Sequence, residues 1–262
     1  MTTRQLYDGE IGGLSGAPRA AALDALVTDL RSPDPVVRDD RAYVTAVRWI
    51  PDLDPAERHQ LGDRMAVYFT DPVPQARTFA PLILARIVEA GDWRAAWWRP
   101  FADWYPAERD LRGYDPALGW LHAAAHGADL LAALARHPGQ DPLRLAQLAV
   151  DRLLAPTDHL FDAMEDDRIA YALARILSGQ ELTAARSVAW LEPVAEAFRT
   201  GEPGPVPAWV SNTVRTLRML YVLADRGVRT RNTDEPPRPV THREQVLEAL
   251  ADTLAIVAPY TG

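Results

Sequence analysis

Apolar residues recur along most of the chain at intervals of three and four, the spacing of one helix face, and they never alternate singly over a run as half-buried strands require. The spacing predicts helices over 18–31, 35–50, 55–69, 73–90, 92–103, 116–136, 142–154, 158–177, 181–199, 206–226 and 242–257. Five Asp-Pro pairs mark helix starts, at Asp34-Pro35, Asp54-Pro55, Asp71-Pro72, Asp115-Pro116 and Asp141-Pro142. Asp accepts from the free amides of a first turn, and Pro at the first helical position gives up no needed donor. Asp54 with Glu57, and Thr241 with Glu244, predict capping boxes. Most links are short, so neighbouring helices are expected to pack antiparallel.

The expected fold is all-α, one domain over 17–262, built as a HEAT-like α-solenoid of stacked antiparallel helix pairs. The segments SPDPVVRDDRAYVTAVRWI and TDPVPQARTFAPLILARIVEAG each resemble a HEAT repeat, with an Asp-Pro turn followed by an apolar ladder. An irregular helical bundle is the competing architecture. Residues 1–16 hold five Gly or Ser and read as a flexible lead-in. The Arg- and Pro-rich stretch 227–240 reads as a mobile surface loop.

Composition narrows the chemistry. The chain has no Cys, which excludes disulfides, thiolate nucleophiles and Cys-ligated zinc. Its formal charge of −8 disfavours a nucleic-acid partner. No basic segment followed by an apolar run opens the chain, and no stretch is apolar enough to span a bilayer, so a cytoplasmic protein with no membrane partner is expected. No Gly-rich phosphate loop, GxSxG or HExxH occurs, so neither a nucleotide nor a flavin cofactor is expected.

The richest segment is ERDLRGYDPALGWLHAAAHGADLLAALARHP. Its predicted helix sets His122, His126 and Asp129 at i, i+4 and i+7, within an arc of about 60°. Two neutral imidazoles and a carboxylate can bind a divalent metal, with Glu165 as fourth ligand. They can equally form an acid/base pair with Asp129 orienting one imidazole, or simply tie helices together. Just upstream, Asp110 and Arg112 flank a turn at Gly113. Arg112 there is either an anion clamp or half of an ion pair that shuts the loop.

Further candidates lie downstream. In FDAMEDDRIAYALARIL, Glu165 and Arg168 share a face and are spaced to pair, while Asp166 and Asp167 turn elsewhere. In WVSNTVRTLRMLYVL, Asn212 shares a face with Arg215, close to Arg218. A buried Asn must bond either the backbone or a ligand. Trp93, Trp97, Trp98 and Trp104 crowd one region, favouring a packing core over an aromatic pocket wall.

These segments together resemble the bacterial DUF2785 family, named for its unknown function. The likeness covers roughly 20–226. It rests on Asp110, Arg112 and Gly113, then Gly119, Trp120, His122, His126 and Asp129. It continues through Glu165, Asp166 and Arg168 to Asn212, Arg218 and Tyr221. It implies a helical, HEAT-like fold with a shared polar centre and supplies no activity.

The expectation is a small-molecule enzyme in which His122, His126, Asp129, Glu165 and Arg112 do the chemistry. Asp110, Trp120, Arg168, Asn212, Arg218 and Tyr221 would hold substrate. The reaction is a hydrolysis, elimination or cyclisation, acid/base or metal-assisted through His122, His126, Asp129 and Glu165. The alternatives are a non-catalytic scaffold that binds a peptide or protein and a HEAT-like DNA glycosylase, the latter against the chain's negative charge.

Overall fold

A computed structural model describes residues 9–179, 182–201, 204–230 and 235–260. Among the described residues the chain is all-α apart from one two-stranded hairpin and one isolated bridge. Helix α1 (Gly16–Asp29) is followed by a π-helical segment, Val36–Tyr43, which runs directly into α2 (Val44–Trp49). Next come α3 (Pro55–Tyr68), α4 (Pro74–Glu89) and α5 (Trp98–Ala107). The hairpin pairs β1 (Tyr114–Asp115) with β2 (Gly119–Trp120) and leads into α6 (Ala123–Leu134). The remainder is α7 (Pro142–Leu154), α8 (Glu165–Leu177), α9 (Ala184–Ala189), α10 (Glu192–Arg199), α11 (Ala208–Arg226) and α12 (Arg243–Ala255).

Helices α4, α6, α8 and α11 pack in succession and form the centre of the molecule. One continuous apolar core runs from Ile11 to Leu254. The tryptophans Trp97, Trp98 and Trp104 are buried in it, as the packing alternative requires. Trp97 meets Trp93 edge to face at 5.5 Å. No helix among the described residues is long and apolar enough to cross a membrane.

The same Asp-Pro chemistry has two outcomes. Asp54 makes the predicted capping box with Glu57, and Asp141 caps α7 through the Leu143 amide. The Asp71 carboxylate accepts from the amide two residues on and that of Asp115 from the amides two and three residues on, and no helix begins at the Pro that follows either. These are side-chain-closed turns. The Thr241–Glu244 box does not form. Thr241 Oγ1 donates to the Gly179 carbonyl, and α12 is entered through His242 in a left-handed conformation.

Helix limits shift elsewhere. The expected helix over 92–103 opens as a short 3-10 turn at Ala95–Trp97, 181–199 divides into α9 and α10, and 158–164 is not helical. The lead-in is anchored from residue 9, because Ile11 is fully buried and the Gly9 carbonyl accepts from Trp49 Nε1 at 3.2 Å. Residues 1–8 lie outside the described residues. The predicted loop 227–240 is tied at its ends by a bridge between Val228 and Arg238, with Val228 and Val240 buried.

Candidate functional site

The first turns of α6 and α8 lie side by side, and the polar centre is built where they meet. The helix expected over 116–136 spans only Ala123–Leu134. Gly119 adopts φ +72, and its hydrogen-only face admits Pro35 and the Arg38–Asp39 pair, which a Cβ would strike at 2.6–3.2 Å. The chain therefore turns back as a hairpin before α6 begins. His122 is the cap residue of α6, in a left-handed conformation at φ 52. It does not continue the helical face of His126 and Asp129.

His122 faces α8 instead. Its Nε2 lies 2.9 Å from the Ala163 carbonyl oxygen and 3.3 Å from Glu165 Oε1. Met164, between those two residues, is also left-handed, at φ 67. A carbonyl oxygen only accepts, so Nε2 carries the proton and Nδ1 holds the lone pair of the neutral ring. Nδ1 has no protein partner among the described residues and is not sealed from solvent. Burial pushes the His122 pKa down, against the pull of the Glu165 charge.

Glu165 is completely buried. Its Oε2 accepts from the Ala163 amide at 2.9 Å, whereas Oε1 has no hydrogen-bond partner among the described residues. Gly113 makes this approach possible, since a Cβ there would lie 2.3 Å from Ala163 Cβ and 2.6 Å from Glu165 Oε1. The Trp120 ring leans over His122 with centroids 4.5 Å apart, and Trp120 and Tyr114 remain exposed at the hairpin surface.

His126 lies deeper. Its Nδ1 donates to the Thr78 carbonyl on α4 at 2.9 Å, so its lone pair is on Nε2. Burial, reinforced by His122, holds its pKa well below the ordinary histidine value. Phe79 packs edge to face with His126 and also lies under the buried Arg38 guanidinium, 4.9 Å from the ring centroid.

The remaining predicted residues divide. Asp129 and Arg168 form an ion pair across α6 and α8, so Arg168 pairs with Asp129 and not with Glu165. Arg112 is held by Asp110 at 2.6 Å and by Asp115 at 2.5 Å, and closes the turn as the shut-loop alternative describes. Asn212 is buried and bonds backbone, accepting from the Phe161 amide at 2.9 Å and donating to the His159 carbonyl at 3.0 Å. It pins the segment that presents Ala163. Arg218 and Tyr221 are exposed on α11, and among the described residues no hydrogen bond or ion pair joins either to the polar centre. The four expected metal ligands do not converge: among the described residues no three His, Asp or Glu are placed to hold an ion.

Sequence reasoning missed Arg38 and Asp39. They lie in the run VVRDDR of the segment that resembles a HEAT repeat, and Arg38 is fully buried. Its guanidinium donates to the carbonyls of Ser32 at 2.9 Å, Leu118 at 2.5 Å and Trp120 at 3.2 Å. The segment is wound as a π-helix, a wider turn than the 3.6-residue spacing assumes, and no sequence signal marks it.

Fold and site together define an all-helical protein with a buried histidine–glutamate pair under an aromatic hairpin. The chain belongs to the DUF2785 family, described as a protein of unknown function, whose model matches residues 61–222. That span holds every predicted site residue and excludes Arg38. No curated protein matches the chain.

Proposed function

We propose that the protein is a small-molecule enzyme in which neutral His122 acts as a general base through Nδ1. It rests on the buried Glu165 oxygen that has no hydrogen-bond partner among the described residues yet lies 3.3 Å from His122 Nε2. A carboxylate with an orphan oxygen contributes poorly to stability. It is well placed to stabilise an imidazolium. When Nδ1 takes a proton, Nε2–H stays on the Ala163 carbonyl and the new positive charge sits beside Glu165.

His242 supplies an internal comparison. It too caps a helix in the left-handed region, and its Nε2 bonds the Leu182 carbonyl at 2.8 Å. No ion pair with an acid is found at His242 among the described residues. The carbonyl bond and the backbone twist are therefore enough to seat a histidine, and the acid at His122 is additional. Proton abstraction of this kind serves a hydrolysis, an elimination or a cyclisation.

The test uses metabolite extract incubated with wild type and with His122→Asn, a residue that tolerates the left-handed backbone. Mass spectrometry should show compounds consumed only by the wild type, with at least a ~10²-fold loss in the variant. Their turnover should rise with pH through a midpoint below the ordinary histidine value. Equal turnover by both proteins, or nitrogen-15 spectra showing His122 protonated on Nδ1, would overturn the assignment.

A further inference from the structure

A groove of about 750 Å³ opens beside the C-terminal halves of α4 and α6 and along α8. Four arginines line it, Arg86, Arg136, Arg168 and Arg175, against two carboxylates, Glu89 and Asp129. This concentration of cations occurs on a chain of formal charge −8. Its volume is that of a small-molecule site.

The pairing leaves charge over. Arg86 is matched by Glu89 at 2.6 Å, and Arg168 by Asp129. Arg136 and Arg175 have no carboxylate partner among the described residues. Arg175 Nη1 donates to Thr230 Oγ1 at 3.0 Å and to Tyr171 Oη at 3.3 Å, neutral acceptors that leave the cation uncompensated. Arg86 Nε is buried with no acceptor among the described residues. Cations commonly gather at helix C-termini to meet the free carbonyls. Among the described residues none of these four guanidiniums donates to a backbone carbonyl, and Arg168 stands in the first turn of its helix, so that role does not account for them. The floor includes Gly91, Ala132 and Ala133, which leave room for ligand atoms between the arginines.

We infer that this groove binds a small molecule carrying at least two anionic oxygen groups, phosphate or carboxylate, between Arg136 and Arg175. Guanidinium groups suit both through paired N–H donors. Binding here does not depend on the proton-transfer reading of His122 and is measured without turnover.

Isothermal titration with inorganic pyrophosphate and with citrate, at matched ionic strength, tests it. The comparison is the double variant Arg136→Gln/Arg175→Gln. The control, Arg99→Gln/Arg199→Gln, removes the same charge at distant exposed ion pairs. At least one probe should bind the wild type and the control, with affinity lost tenfold or more in the groove variant. Pyrophosphate alone identifies a phosphate ligand and citrate alone a carboxylate. No binding of either probe, or equal loss in the control, refutes the site.

Discussion

Glu165 Oε1 lies 3.3 Å from His122 Nε2, although each residue stands at the start of its own helix. The meeting depends on two left-handed residues, His122 at φ 52 and Met164 at φ 67. Such backbone costs about 1–3 kcal/mol per residue and persists only where the surroundings hold it. Here the hairpin holds one side, through the bond from the His122 amide to the Arg112 carbonyl at 3.0 Å. Asn212 holds the other.

Gly113→Ala should show how tightly these parts are fitted. The added methyl would lie 2.3 Å from Ala163 Cβ and 2.6 Å from Glu165 Oε1. Overpacking of this kind costs about 1–3 kcal/mol. A drop in Tm of roughly 2–4 °C per kcal/mol is expected for a chain of this size. An unchanged Tm would mean that the loop can withdraw without loss.

Glu165→Gln keeps an acceptor for the Ala163 amide and removes the charge. The His122 titration midpoint, already depressed by burial, should fall further, because the carboxylate is what draws it up. Proton NMR of the imidazole follows this directly. A midpoint that rises or stays put would disconnect the two residues. Glu165→Ala also strands the Ala163 amide and should lose about 1–3 kcal/mol of stability.

The helical class and order were legible because apolar spacing reports burial, and the Asp54–Glu57 box was legible because both caps are local. The hairpin was not. Asp115-Pro116 reads like Asp54-Pro55, and the difference is Gly119, whose φ +72 ends any helix before His122. His126, Asp129, Glu165 and Arg168 were recognisable as polar residues on apolar helices. Their pairing was not, since Arg168 is three residues from Glu165 yet reaches Asp129 on another helix. Arg38 stayed hidden because a buried arginine satisfied by carbonyls of a distant hairpin has no local pattern.

Acid should destabilise the protein before its carboxylates titrate. Both His122 and His126 have folded-state pKa values below the unfolded value of about 6.5. Above that pH both states are neutral at these rings and no stability is lost. As pH falls through it, the unfolded chain binds protons that the folded chain excludes. Stability should then fall by up to about 1.4 kcal/mol per pH unit for each ring. His126→Asn retains a donor for the Thr78 carbonyl and cannot titrate. Urea unfolding across pH 5–7.5 should give a shallower slope for this variant, by about one proton at most. Parallel curves would show that His126 takes no part in the acid response.

Arg38→Lys probes what keeps the aromatic hairpin over His122. The guanidinium reaches Leu118, Trp120 and Ser32 at once, and an ammonium on a single stem cannot reproduce that fork. Burial already pushes the Arg38 pKa down, with Asp39 opposing, so the site tolerates this charge only while its acceptors are in place. Loss of two charged hydrogen bonds should cost about 1.5–3 kcal/mol each where no water replaces them. The cost should fall on the hairpin first. Hydrogen exchange at the Leu121 and His122 amides, which bond Gly113 and Arg112, should accelerate by about tenfold or more, while core amides of α11 keep their protection. If exchange rises equally in both places, Arg38 supports the whole fold. If it rises in neither, the hairpin is held from its own turn, by Arg112 with Asp110 and Asp115.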